Sequence, residues 1–213
     1  DGMATGTLKN WVGAGGDING DGLNDIVIGD QNNIVNGVRR GAAYVLFGTS
    51  DNAPVKATAL GARGYTIYGN SVWASLGDDI TIVGDVNGDG LADIAVSDVD
   101  TYPRTYILYG KTTTDNIQLT SHSTIPGNQG FIVNSDYHLS GISTVDATHN
   151  HEIRVSAAGD FNGDGLDDFM VGDHINQETY LIFGKTGTGT VSMTGFAATD
   201  GIKLQSFIDR DPS

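Results

Sequence analysis

The chain has 213 residues and a formal net charge of −15, from 26 acidic and 11 basic side chains, and it has no Cys. So acidic a surface repels nucleic acid and anionic membrane, the lack of thiols excludes disulfides and thiolate metal sites, and no run reaches the ~20 apolar residues of a spanning helix. Only Glu152 and Glu178 are Glu, so nearly all the acid is Asp, a short carboxylate suited to turns and to holding cations. The 31 Gly show no Gly-X-Y period and predict many tight turns between short strands. No basic-then-apolar leader opens the chain, which predicts a mature form or a piece excised from something longer.

Three units follow one another in a single repeat domain, residues 1–213, with approximate limits 8–69, 76–135 and 151–208. The first carries an acidic loop from Asp17 to Asp25, then the apolar run Ile26-Val27-Ile28, then Ala43-Tyr44-Val45-Leu46-Phe47-Gly48, then Gly64-Tyr65-Thr66-Ile67. The second repeats this order with a loop from Asp85 to Asp93, Ile94-Ala95-Val96, Thr105-Tyr106-Ile107-Leu108-Tyr109-Gly110 and Gly130-Phe131-Ile132-Val133. The third does so with a loop from Asp160 to Asp168, Phe169-Met170-Val171, Thr179-Tyr180-Leu181-Ile182-Phe183-Gly184 and Gly201-Ile202-Lys203-Leu204. Runs so short, rich in β-branched and aromatic residues and bounded by Gly, Asn and Asp, predict strands. Four strands per unit of about 70 residues predict an all-β fold of three four-stranded antiparallel propeller blades. Three blades are fewer than a closed ring needs, so the unit is expected to belong to a larger propeller or to a homo-oligomer that closes one.

Each loop reads Asp-x-Asn-Gly-Asp-Gly-x-x-Asp. Oxygen donors at positions 1, 3, 5 and 9, with a backbone carbonyl at position 7, suit a hard cation that takes 6–8 oxygens, and Gly at position 6 permits the sharp turn. The expected ligands are Asp17, Asn19, Asp21, Leu23 (carbonyl) and Asp25; Asp85, Asn87, Asp89, Leu91 (carbonyl) and Asp93; and Asp160, Asn162, Asp164, Leu166 (carbonyl) and Asp168. The leucine side chains are expected to turn away from the ion and pin each loop to its core. Ca²⁺ is the expected cofactor, about three per chain; Mg²⁺ demands tighter geometry, and zinc prefers His or Cys. An EF-hand is excluded by Ile28, Val96 and Val171 at loop position 12 and by flanking strands. A carboxylate-capped turn without a cation explains one such loop more easily than three in register.

The loop, the apolar strand after it and the Tyr-Val-Leu-Phe-Gly segment with its equivalents resemble FG-GAP repeats, the propeller blades of integrin α-subunit heads and of many bacterial secreted proteins. The likeness runs over nearly the whole chain. It implies Ca²⁺ held between the first two strands of a blade. Where the family has Gly-Ala-Pro, this chain has Gly29-Asp30-Gln31, Ser97-Asp98-Val99 and Gly172-Asp173-His174, and it has no glycosylation sequon. The resemblance therefore implies a bacterial extracellular or cell-surface relative, a structural and adhesive scaffold without integrin ligand specificity.

Nothing in the sequence composes an active site. There is no nucleophile elbow, phosphate loop or zinc-protease motif. The five histidines are His122, His138, His149, His151 and His174, and the pair His149/His151 reads as an exposed insertion more readily than as a metal site. The expectation is no enzyme, with a protein or glycan ligand and no membrane insertion. The alternative is a carbohydrate-binding or polysaccharide-cleaving propeller, with Trp73, Tyr102 and Tyr137 as stacking platforms.

Overall fold

The computed structural model describes residues 10–35, 37–51, 53–70, 75–99, 103–120, 123–135, 153–173 and 177–204. In the first repeat, β1 (Asn10–Gly16) and β2 (Asp25–Asp30) flank the acidic loop. A small ribbon follows, β3 (Ile34–Val35) with β4 (Val38–Arg39), and then β5 (Ala42–Leu46) and β6 (Gly64–Tyr68). The second repeat gives β7 (Ile80–Gly84), β8 (Asp93–Asp98), β9 (Arg104–Leu108), β10 (Ile117–Gln118) and β11 (Gly130–Asn134). The third gives β12 (Ile153–Gly159), β13 (Asp168–Asp173), β14 (Glu178–Ile182), β15 (Val191–Ser192) and β16 (Gly201–Leu204).

The described residues are all-β, in three sheets of four or five strands besides the ribbon. Within each repeat the four main strands pair antiparallel in chain order, β1-β2-β5-β6, β7-β8-β9-β11 and β12-β13-β14-β16. The repeats also trade strands. β10 leaves the second repeat to pair in parallel with β6, setting Ile117 opposite Ile67, and β15 leaves the third to pair with β11, setting Val191 opposite Val133. A boundary drawn between repeats in the sequence is therefore crossed by one strand in space. Among the described residues, no helix is long and apolar enough to cross a membrane.

The sheets bury their faces against one another, because a lone four-stranded sheet leaves both faces wet. Val27, Val45, Tyr65 and Ile67 of the first sheet pack with Ile80, Ile94, Val96 and Tyr106 of the second. On the other side of the second sheet, Ala95, Ile107, Phe131 and Val133 pack with Ile153, Phe169, Val171 and Tyr180 of the third. The rings of Phe131 and Phe169 meet across this junction with centroids 6.1 Å apart. Each fully buried aromatic contributes about 2 kcal/mol through the area it removes from water.

The glycine that opens the last strand of each sheet has a steric cause. Gly64, Gly130 and Gly201 sit at φ of 149°, 150° and 148°, and a Cβ there would lie 1.9, 1.8 and 1.9 Å from the carbonyls of Val45, Ile107 and Leu181. The neighbouring strand occupies the space a side chain would need, which is why the Gly precedes the buried Tyr65 and Phe131. Gly130→Ala is expected to lower stability by about 3 kcal/mol or more. Gly187→Ala, where nothing lies within 4 Å, is expected to be close to neutral. Urea unfolding of the two variants measures the contrast.

Candidate functional site

The three acidic loops fold alike, and the cause lies in their own side chains. Directly before each loop the first strand carries a bulge, between Ala14 and Gly16, Ile82 and Gly84, and Ala157 and Gly159, which sharpens the bend into the turn. Asp17 then gathers three amides: Oδ1 accepts from Gly20 N (2.7 Å) and Asp21 N (3.1 Å), and Oδ2 from Gly22 N (2.7 Å). Asp85 does the same with Gly88, Asp89 and Gly90, and Asp160 with Gly163, Asp164 and Gly165, at 2.7–3.0 Å and 2.8–3.0 Å. Wrapping the chain this tightly around one carboxylate drives the two loop glycines to positive φ, 78° and 86° at Gly20 and Gly22, with similar values in the other two loops.

Positions 3 and 5 brace each other. The Oδ1 of Asn19 accepts from Asp21 N, its Nδ2 donates to Asp21 Oδ2 at 3.0 Å, and Asp21 Oδ1 accepts from Leu23 N at 2.9 Å. Asn87 with Asp89, and Asn162 with Asp164, repeat the arrangement. Asp21, Asp89, Asn162 and Asp164 are exposed, and Asn19 and Asn87 half-buried.

Position 9 is different. Asp25, Asp93 and Asp168 are wholly buried. One oxygen of each accepts from the amide at loop position 2 (Ile18, Val86, Phe161), and the other accepts from the glycine that ends the third main strand (Gly48, Gly110, Gly184), at 2.7–2.9 Å. Asp168 takes a further amide from Asn162 at 3.2 Å. The carboxylate thus bolts the loop to its own sheet. Burial first, with repulsion from Asp89 and Asp85 behind it and against the pull of two amide bonds, pushes Asp93 up to about 7. Burial, with Asp21 and Asp17 nearby, raises Asp25 as well. The phenol of Tyr65 is raised by burial and by the carboxylates of Asp25 and Asp93. Negative charge is crowded where the loops meet the sheets.

All fifteen expected ligand residues lie among the described residues, and the fold brings each set of five into one turn. Among the described residues, however, no group of three His, Cys, Asp or Glu side chains stands ready to hold a metal, since the carboxylates are turned onto loop amides. The donor set still fits a hard cation by its chemistry. It is all oxygen, with three carboxylates to an amide, and ionised carboxylate oxygens have lone pairs beyond one hydrogen bond each. The leucines at position 7 lie with their Cβ against the glycine of their own sheet, Leu23 at Gly48, Leu91 at Gly110 and Leu166 at Gly184. Leu91 also reaches the preceding loop, its Cδ2 lying 2.9 Å from where a Cβ on Gly20 would stand, and Leu166 does the same at Gly88. Leu23 meets no preceding loop among the described residues and is exposed.

The strand-ending glycines Gly48, Gly110 and Gly184 were legible only as parts of the aromatic strands, not as partners of the loops. Lys111 and Lys185, which follow two of them, lie with Nζ 4.1 Å above the Tyr65 ring and 4.4 Å above the Phe131 ring of the preceding sheet. All five histidines, and Trp73, Tyr102 and Tyr137, lie outside the described residues. No family model matches this chain, and no curated protein matches it.

The burial of position 9 and the exposure of position 5 predict unequal costs for the same change. Asp168→Asn leaves at least one buried amide facing an NH₂ group and is expected to cost about 3 kcal/mol. Asp164→Asn, in solvent, is expected to cost about 1 kcal/mol or less. Urea unfolding in chelator isolates both effects from any bound cation.

Proposed function

We propose that this chain is a calcium-stiffened set of three β-propeller blades of the FG-GAP type, serving as a structural and adhesive scaffold in a secreted or cell-surface protein. The observation that carries the reading is the threefold repetition of one loop geometry, side chain for side chain, at the same place in three sheets. A turn needed only to reverse a strand has no reason to keep three carboxylates and an amide together in each of three copies.

In this reading Ca²⁺ is held by Asp17, Asn19, Asp21, Asp25 and the Leu23 carbonyl in the first loop, by the matching five in the second, and by those in the third. The cation supplies positive charge where three carboxylates would otherwise repel one another. The loops then stiffen, and because the first two loops touch the next sheet, the relative placement of the sheets stiffens with them. No residue here is asked to do chemistry on a substrate, so the proposal is a scaffold and not an enzyme. The ligand it presents is a protein or glycan of unassigned identity.

Calcium titration by calorimetry is expected to find about three sites. Asp89→Asn keeps an oxygen for Leu91 N but removes the charge, so it is expected to remove one site while leaving the fold intact. A site held at 1,000 times its Kd adds about 4 kcal/mol, or roughly 10 °C for a chain of this size, so chelator is expected to lower Tm clearly. A chain that melts at one temperature in Ca²⁺ and in chelator, and takes up no Ca²⁺, overturns the proposal.

A further inference from the structure

The bonds that shape the three loops also fall on the atoms of one chemical reaction. Position 3 of each loop is Asn and position 4 is Gly: Asn19-Gly20, Asn87-Gly88 and Asn162-Gly163. An Asn followed by Gly is open to attack by its own backbone. The amide nitrogen of the next residue can reach the Asn Cγ and close a five-membered ring. Gly, having no side chain, neither blocks that approach nor limits the backbone rotation it needs. The position-4 glycines are exposed in all three loops, so water has access to the product.

Every group in that reaction is engaged. The nucleophile is the position-4 amide, and its N–H donates to the first Asp of the loop: Gly20 N to Asp17 Oδ1 at 2.7 Å, Gly88 N to Asp85 Oδ1 at 2.7 Å, and Gly163 N to Asp160 Oδ1 at 2.8 Å. The carboxamide under attack is held at both ends by the Asp at position 5. Its oxygen accepts from that residue's N–H, at 3.0, 2.8 and 2.8 Å in the three loops. Its NH₂, the leaving group, donates to the Asp Oδ2 at 3.0, 2.9 and 2.8 Å. Ring closure needs the nitrogen stripped of its proton and aligned with Cγ. An N–H facing a carboxylate resists losing its proton, because the anion left behind would face a like charge. The carboxamide, for its part, cannot turn without giving up two bonds.

We propose that Asn19, Asn87 and Asn162 are deamidation sites kept shut by the loops' own hydrogen bonds, so that opening of a loop exposes it to a one-way change. In an opened loop the Gly nitrogen gives its proton to water and bonds to the Asn Cγ. The bond from Cγ to the side-chain nitrogen breaks, and that nitrogen leaves as ammonia. The resulting succinimide takes up one water at either carbonyl, giving Asp or isoaspartate, with no oxidant or reductant involved. Isoaspartate carries the backbone through its side-chain carbon and so lengthens the chain between positions 3 and 4. The amides at positions 4, 5 and 6 then no longer converge on the first Asp, and the altered loop does not re-form.

The test is the rate of deamidation at each loop of the full chain at mildly alkaline pH, folded and in denaturant, with chelator in every sample. Peptide mapping by mass spectrometry reads the three loops apart from the other Asn-Gly pair of the sequence, Asn36-Gly37. In the folded chain each loop Asn is expected to convert at least about tenfold more slowly than in denaturant, since hydrogen bonds of ordinary net strength must open first. Asp17→Ala frees Gly20 N and is expected to bring Asn19 toward its denatured rate. Asn87 and Asn162 in the same molecules are expected to stay slow, which shows that the other two sheets have kept their fold. Wild-type protection smaller than this, or an Asp17→Ala chain whose Asn19 stays as slow as in wild type, overturns the proposal. If Asp17→Ala unfolds the whole chain, all the loops speed up together and the wild-type comparison decides. These bonds are present without a cation, so a failure of calcium binding shows in the calorimetric titration and leaves this result unchanged.

Discussion

Three buried carboxylates hold the architecture together. Asp25, Asp93 and Asp168 each join the second amide of a loop to the amide of the glycine just beyond the third main strand of the same sheet. An ionised or shared carboxylate buried completely is costly unless its oxygens are occupied, so the chain keeps those two amides within reach at every repeat. That requirement sets where the loop sits on the sheet. The loop position in turn decides which carbonyls face the neighbour, and the first two loops use them to receive the next sheet. The fold of a loop, the closure of a sheet and the docking of sheets are therefore one linked constraint, repeated.

The loops also show how hydrogen bonding and charge divide their labour. Amide bonds to Asp17, Asp85 and Asp160 suffice to shape the turn, and each neutralises a donor that would otherwise go unpaired. They do not remove net charge. Burial above all, with a smaller part from the neighbouring loop carboxylates, raises Asp93 and Asp25 against the pull of their amide bonds. The loops gather aspartates where backbone dipoles only partly compensate their charge, and the proposed Ca²⁺ would offset what remains.

Much of this was legible in the sequence, for a definable reason. The three apolar segments after each loop are local patterns, each bounded by Gly, Asn or Asp, and all nine lie in strands that pair with their chain neighbours. What was hidden is non-local. β10 and β15 are two-residue strands whose surroundings carry no alternation, and they exist only because β6 and β11 offer an edge. The reach of Leu91 and Leu166 to the preceding loop could not be read from a motif that treats each loop alone. The role of Gly110 and Gly184 as donors to a buried carboxylate depends on a strand end meeting a loop 17 and 16 residues away. Local chemistry could be read along the chain; the junctions could not, because half of each junction lies in another repeat.

The same division explains the exposed apolar side chains. Stacked repeats normally end in units with polar outer faces, since an outermost face has no neighbour to keep it dry. Here the end faces keep the apolar character of internal ones: Phe161 and Val12 stand in water at positions whose counterparts are buried. Where the internal junctions set a lysine over a ring, the corresponding positions on the outer faces are Thr49 and Ile202, and neither carries charge. Among the described residues, the outer faces of the first and third sheets thus keep the apolar composition of an internal junction and not of a polar cap.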